Sequence, residues 1–321
     1  GADSFAPSAR DYFFDADGRP HQPGFTLKNP QLADTFEIVA RDGADAFYEG
    51  AIATDIAKAV RNDPRQPGTL SIEDMKNYRA VPRAPLCVPY RGRNVCGAGP
   101  PSSGAVAVGQ VLRLVEPFDL GATPFTPEAA HVIAEAERLA YADRARYLAD
   151  PDFVPVPLEG LLDQDYLAGR RALIDKTRAQ DKVEPGKPPV VPPSAFGRDR
   201  TKERGGTSQV SVVDGAADAF SLTTSIEHAF GARTMVRGFL LNNQLTDFSF
   251  LPKDALGRPI ANRVQPGKRP RSSMDPTMVF GKDGALEFVL GSPGGPGIIL
   301  FNLKTLFALI DWQMNAADAA A

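Results

Sequence analysis

The rhythm of apolar and polar positions changes along the chain, and those changes predict its elements. Ile52, Ile56 and Val60 recur every four residues, which predicts one amphipathic helix over Asp45 to Asn62 with its charges outward. Residues 1 to about 40 show no such period and read as loop, with Asp15-Ala16-Asp17-Gly18 turning between hydrophobic pieces. Two helix starts are written in side-chain chemistry. In Ser71-Ile72-Glu73-Asp74 a hydroxyl faces the amide at Asp74. Thr126-Pro127-Glu128 combines a hydroxyl cap, a first-turn proline and an acid at the positive end of the dipole. That helix should run to Leu148, with Glu135, Glu137, Arg138, Asp143, Arg144 and Arg146 on a solvated, ion-paired face. The loop Gly97 to Gly104 precedes another helix carrying Val106, Val108, Val111 and Leu112. Spacing leaves open whether that loop offers amides to a ligand or only turns the chain.

Between Asp181 and Gly206 the periodicity disappears. Pro185, Pro188, Pro189, Pro192 and Pro193 alternate with charges, which predicts a mobile junction between a mostly helical segment 1–206 and a β-rich segment 207–321. Beyond it, Val210 to Val213 and Phe220 to Ile226 alternate across Asp214 to Asp218. An antiparallel pair of that kind sets Ser225 and Glu227 beside Thr207. Thr277 to Phe280 and Leu286 to Leu290 predict a second pair. The turn Gly291-Ser292-Pro293-Gly294-Gly295-Pro296-Gly297 then launches a helix to about Met314, with Trp312 in the core. A strand, a glycine turn and a helix form a cradle of bare amides for an anion.

Composition acts mainly by exclusion. The chain has 321 residues, 43% hydrophobic and 23% charged, as a soluble globular protein does, and no apolar run is long enough to span a bilayer. A net charge of −3 without any basic block interleaved with aromatics argues against a nucleic-acid partner. Gly1-Ala2-Asp3-Ser4 carries no visible secretory signal. His21, His131 and His228 are scattered and the cysteines lack zinc-site spacing, so neither a metal nor a cofactor is expected. Cys87 and Cys96 flank a short hairpin turning at Arg91 to Asn94, where they are either a disulfide or two partly buried thiols.

One stretch carries more chemistry than the rest. In Gly205-Gly206-Thr207-Ser208-Gln209-Val210-Ser211-Val212-Val213-Asp214 a threonine stands where a proline-rich tract gives way to a strand. Two glycines ahead of it leave the backbone free to adopt a strained geometry. Were the Thr207 hydroxyl to attack the Gly206 carbonyl and cut the chain, it would gain its own α-amine. Such an amine titrates near neutrality and serves as the base for its own hydroxyl. The competing reading is a β-branched residue opening a strand.

Four downstream motifs together resemble the γ-glutamyltransferase family of N-terminal nucleophile hydrolases: Thr207-Ser208-Gln209-Val210-Ser211-Val212-Val213-Asp214, Leu241-Asn242-Asn243-Gln244-Leu245-Thr246-Asp247-Phe248, Lys268-Arg269-Pro270-Arg271-Ser272-Ser273-Met274 and Gly291-Ser292-Pro293-Gly294-Gly295. Upstream, Gly43 to Gly50, Pro100-Pro101-Ser102-Ser103-Gly104 and Tyr141-Ala142-Asp143-Arg144 resemble its large subunit.

The resemblance implies an α/β fold, an αββα sandwich of stacked antiparallel sheets between helical layers, cut from one precursor into large and small subunits (1–206 and 207–321). It implies Thr207 as nucleophile on Gly206 and then on a γ-glutamyl amide such as glutathione, with water or an amino acid or peptide as acceptor. Ser225 would partner the nucleophile, and Gly294 and Gly295 would receive the oxyanion. Glu227, Gln244 and Asp247 would hold the donor's α-amine, while Ser272 and Ser273 bond its carboxylate. It also implies a periplasmic or secreted location.

Departures from the family matter. Glu227 stands where relatives commonly carry Asn, and Gln209 where many have His. The segment 250–263 is shorter than the lid of some bacterial members and holds no Tyr or Trp, which suggests an open cleft and bulky donors. The chain reads as truncated at both ends, the arginine that clamps the donor carboxylate lying before Gly1, with exposed strand edges expected. The alternatives are therefore a cephalosporin or glutaryl acylase on the same scaffold, or an inactive fragment.

Overall fold

The computed structural model describes residues 1–190 and 196–321. Two of the predicted junction prolines, Pro192 and Pro193, lie outside the described residues. The elements in chain order are α1 (Pro7–Phe13), α2 (Pro30–Asp42), α3 (Asp45–Tyr48), α4 (Ala51–Arg61), α5 (Ile72–Asn77), β1 (Pro85–Tyr90), β2 (Arg93–Ala98), α6 (Gly104–Val115), α7 (Pro127–Tyr147), α8 (Leu158–Leu161) and α9 (Gln164–Arg171). They continue with β3 (Ser208–Val213), β4 (Ala219–Thr224), β5 (Met235–Val236), β6 (Phe239–Leu240), β7 (Thr277–Phe280), β8 (Leu286–Leu290), α10 (Gly297–Ile310) and α11 (Ala316–Ala320). They form two compact units, one of Gly1–Pro82 with His228–Asn243 and one of Arg83–Glu227 with Gln244–Ala321.

The first unit holds α1 to α5 and the β5–β6 ladder. Residues 1 to 40 are not the loop their pattern predicts, because α1 and α2 lie there. The α2 start is a polar signal: the Asn29 side chain accepts from Leu32 N at 3.0 Å and Pro30 fills the first turn. Thr35 alone is buried on α2, so the helix had no apolar stripe to read. The single helix expected over 45–62 is two, since Gly50 turns extended (φ −95, ψ −154) and caps α4 afresh. On α4, Ile52 and Ile56 are buried with Val236, as their spacing predicts. The capping box at Ser71 and Asp74 is formed.

In the second unit the sheet order is β1-β2-β7-β8, all antiparallel. Cys87 and Cys96 face each other across β1 and β2 and are disulfide-bonded, which settles the alternative left open above. Val88, Tyr90, Val95 and Val279 meet a helical layer of α6, α7 and α10 in one core. The α6 helix is buried on almost every side, so its apolar run is continuous rather than striped. Each fully buried Leu or Ile there contributes about 1.5–3 kcal/mol. The β3–β4 hairpin lies against β8, with Ser221 Oγ donating to Leu290 O at 3.3 Å.

Three further expectations are corrected here. The described part of the 181–206 segment belongs to this unit and packs into it. Val183, Pro185, Phe196 and Asp199 are buried, Gly186 N donates to Asp143 Oδ1, and Tyr147 Oη donates to Gly186 O. On α7 the charges are not a solvated face: Glu135, Asp143 and Arg144 are buried. Finally, α10 ends at Ile310, and Trp312 lies beyond it, half-buried, its Nε1 donating to Gly121 O.

Candidate active site

The hairpin sets the geometry. Ser208 pairs with Thr224, so the register carried one step further brings Thr207 level with Ser225. Ser225 Oγ donates to the carbonyl oxygen of Gly206, the residue on the other side of the bond in question. The same oxygen of Ser225 accepts from Glu227 N at 2.8 Å. Glu227 is buried and held at φ +70, a left-handed conformation that costs a residue with a Cβ about 1 kcal/mol or more. Such strain is maintained only where the surroundings over-determine it.

Around this corner one cavity gathers Gly206, Thr207, Ser225, Glu227, Gln244, Asp247, Ser272, Ser273 and Gly295, together with Glu203 and Arg271. Its volume is about 20 Å³, room for one water at most. Gly294 is not in the lining of that cavity; it lies beside Gly205, where a Cβ would stand 3.5 Å from the Gly294 backbone. Gly295 is left-handed (φ +55), and a Cβ there would come within 2.1 Å of Arg204 O. The turn can pass under residues 204–205 only because it carries no side chain.

The two serines are fixed from α6's leading loop. Ser103 N and Oγ both donate to Ser272 O, at 2.8 and 2.7 Å, and Ser102 Oγ donates to Met274 O. The loop Pro100 to Gly104 thus spends its polar groups on holding residues 272–274. Gln244 Nε2 donates to Asp247 Oδ2 at 2.8 Å. Burial pushes the Asp247 carboxyl up to about 6, against the Gln244 bond and with the negative charges of Glu203 and Glu227 adding to the rise.

Behind the serines lies a buried ion cluster. Arg144 on α7 grips Glu203 with both terminal nitrogens (Nη1 to Oε1 2.8 Å, Nη2 to Oε2 2.6 Å), and Arg271 Nη2 donates to Glu203 Oε1 at 2.7 Å. Ser273 Oγ donates to Glu203 Oε2 at 3.2 Å and accepts from Arg144 Nη2 at 2.6 Å. Arg271 also pairs with buried Asp199 at 3.2 Å. Burial alone would raise the Glu203 carboxyl, but Arg144 and Arg271 overcome it and hold the group at about 2.

The profile of the gamma-glutamyltranspeptidase family matches residues 2–321. The chain belongs to that family. A glutathione hydrolase proenzyme from Escherichia coli strain K12 is 38% identical over 312 residues, covering 94% of this chain and 51% of that protein. An acylase ACY 1 proenzyme from Pseudomonas sp. strain SE83 is 33% identical, with 94% and 50% covered. Among solved structures, the cephalosporin acylase from Bacillus halodurans superposes with a TM-score of 0.79 at 25% identity, covering 95% of this chain and 51% of that one. The chain therefore spans about half the length of the curated relatives it matches. The fold is the family's, of the N-terminal nucleophile hydrolase type.

Within this family member, sequence reasoning passed over Glu203, Arg144 and Arg271. Arg271 did carry a signal, a cation directly before two hydroxyls assigned to a carboxylate. Arg144 hid among α7's charges, although buried Ala136, Ala140 and Ala142 mark the same helix as interior. Among the described residues no group of three or more His, Cys, Asp or Glu could hold a metal ion, and no helix is long and apolar enough to cross a membrane.

Proposed function

We propose that this chain is the catalytic portion of an amidohydrolase or acyltransferase for γ-glutamyl compounds, matured by cleavage between Gly206 and Thr207. The observation that carries the reading is the Ser225 hydroxyl on the Gly206 carbonyl oxygen at the mouth of the β3–β4 hairpin. A donor hydrogen bond there draws electrons from the carbonyl carbon and stabilises the oxyanion as Thr207 Oγ adds to it. Collapse of that adduct breaks the C–N bond and leaves an ester on Thr207. That same C–N cleavage frees the Thr207 amine, which takes up the hydroxyl proton, and water then hydrolyses the ester, releasing the carboxyl of Gly206 and restoring the Thr207 hydroxyl.

In the mature site the amine takes the Thr207 proton as the hydroxyl attacks the donor's amide carbon, and passes it to the departing amine. The acyl group stays on Thr207 until water or an amino acceptor removes it. The backbone amides of Gly294 and Gly295 serve the oxyanion. Glu227, Gln244 and Asp247 receive the donor's α-ammonium, and Ser272 and Ser273 its carboxylate. The precursor would supply both subunits, and the Cys87–Cys96 disulfide fits a periplasmic or secreted location.

The test is mass spectrometry and N-terminal sequencing of the purified chain, with release of the amine from a γ-glutamyl anilide. A shorter product beginning at Thr207 is expected. Thr207→Ala should leave the chain whole and lower turnover by about 10³-fold or more. A whole wild-type chain that turns over the anilide would overturn the mechanism, and one that turns over no amide would favour an inactive fragment.

A second reading, a cephalosporin-type acylase, is favoured by one feature. Residues 250–263 carry no Tyr or Trp and hold Phe250, Leu251 and Leu256 in solvent, leaving apolar surface for a bulky group. Glutaryl and γ-glutamyl donors separate the two, since only the latter brings an ammonium to Glu227 and Asp247.

A further inference from the structure

Glu203 is only four residues ahead of Thr207, and it lines the same cavity. Its carboxylate receives three guanidinium nitrogens and one hydroxyl at 2.6–3.2 Å, from Arg144, Arg271 and Ser273. These donors surround a carboxylate as a built receptor would, a bidentate fork on one side and a second cation on the other. The side chains of Arg144 and Arg271 are 5% and 3% exposed, so neither can turn to water for a substitute.

The neighbouring chain separates what is anchored from what is not. Asp199 N bonds Ala145 O, the Asp199 carboxylate accepts from Asn262 and from Thr201 N, and Thr201 Oγ1 accepts from Phe250 N. Beyond Thr201, Lys202, Arg204 and Gly205 are exposed, and the stretch is held by the ion pairs of Glu203 and by the Ser225 bond to Gly206 O. Charge counts the same way. With Glu203 present, two cations are ion-paired with two carboxylates; without it, Asp199 is left as the ion-pair partner, with Asp247 acting on Arg271 from farther off. A buried excess of positive charge calls for an anion.

We propose that Glu203 is an internal stand-in for the carboxylate of the acyl donor. Arg271 and Arg144, with Ser273, form the seat that the donor's carboxylate takes once residues 202–206 withdraw. The proposal rests on the cleavage at Gly206–Thr207 set out above. It makes Arg271 a specificity determinant for acyl groups ending in a carboxylate. Glutaryl and γ-glutamyl groups place that carboxylate the same number of bonds from the scissile carbonyl, so both fit the seat. It also makes self-cleavage the step that opens the site, because a cavity of about 20 Å³ admits no donor while Glu203 occupies Arg144, Arg271 and Ser273.

Glutarate is the probe, titrated calorimetrically into uncut protein. Thr207→Ala, with its plug in place, should give no saturable binding. Thr207→Ala with Glu203→Ala should bind glutarate at one site, and adding Arg271→Gln should weaken that binding about tenfold or more. Equal affinity with and without Glu203, or no loss on changing Arg271, overturns the proposal. Because Glu203→Ala bares two buried cations and can unfold the chain, a milder variant gives a second reading. Trypsin cuts after Lys202 and Arg204, on either side of the plug. Glu203→Gln in the Thr207→Ala chain should raise that cutting about tenfold, and equal rates overturn the proposal. Both measurements use uncut protein, so a wild-type chain that neither cleaves nor turns over amides would end the functional reading without touching them.

Discussion

Asp143 and Arg144 are consecutive on α7, both charged and both buried, and they do opposite work. Asp143 accepts from Arg170 Nη2 (3.2 Å), Tyr166 Oη (2.6 Å), Gln110 Nε2 (3.2 Å) and Gly186 N (2.7 Å), every donor belonging to packed structure. Arg144 instead reaches Ser103, Ser273 and Glu203, and its carboxylate partner stands on the stretch that leads to Thr207. Burial and pairing are alike in the two. What separates them, on the proposal above, is that the partner of Arg144 leaves after cleavage, and a charge whose partner leaves is a binding site in waiting. The pair also explains why a row of charges on a helix says little by itself about solvent.

The comparison breaks most visibly at Asp143. Asp143→Ala takes the acceptor from Arg170, Tyr166, Gln110 and Gly186 at once, and an uncompensated buried charge of this kind costs about 3–5 kcal/mol. The urea midpoint should fall accordingly, with the slope unchanged. Self-cleavage per folded molecule should hold. Arg144→Ala should reverse that pattern, costing less stability because Glu203 keeps Arg271, while raising KM for carboxylate-bearing donors. Equal stability losses in the two variants, or slowed cleavage in the folded Asp143→Ala fraction, would erase the distinction.

Acid sharpens it next. The Glu203 carboxyl sits at about 2 against an ordinary 4.5, so it protonates later in the folded chain than in the unfolded one. Its contribution is therefore fully present above pH 4.5 and lost as pH falls through about 2, on the order of 3 kcal/mol in all. Thermal or urea unfolding of Thr207→Ala across that window should show the loss, and the Glu203→Gln version of the same chain should not. Cleaved protein, with the plug withdrawn, should resemble the Gln variant. If cleaved and uncut chains lose the same amount, Glu203 stays in its seat after the cut.

What the sequence revealed and what it hid follow the same line. The β3–β4 register, the Thr126 cap of α7 and the capping box at Ser71 rest on local chemistry, and local chemistry can be read in order. The residues implied for the site, Gly294 excepted, line one cavity because each belongs to a short motif at a strand or helix end. The ion cluster was not legible, since Arg144, Glu203 and Arg271 come from three distant stretches and only the fold brings them together. The α2 helix was missed for a simpler reason. It buries Thr35 rather than an apolar stripe, so its Asn29 cap was the one signal available. The proline-rich segment misled because proline content reports missing periodicity, whereas Val183, Pro185 and Phe196 still find a core.

The finest division lies inside the cavity, between the groups that face the donor's carboxylate and those that face its amine. Asp247 is pushed up to about 6 by burial, with Glu203 and Glu227 adding to the rise. It holds an ammonium only when ionised, so binding of a γ-glutamyl donor should weaken as pH falls below about 6, by up to about tenfold per unit. A glutaryl donor, having no amine, should be indifferent to Asp247. Any acid limb from the Thr207 amine is common to both donors, so the ratio of their kcat/KM values cancels it and isolates the carboxylate. That ratio should fall with acid, and Asp247→Asn should flatten it. Withdrawal of Glu203 removes a negative neighbour, so in cleaved enzyme the midpoint should lie at or below 6. A ratio that is flat in the unsubstituted enzyme would move amine recognition away from Asp247 and leave the seat at Arg271 as the part of the site that chooses the donor.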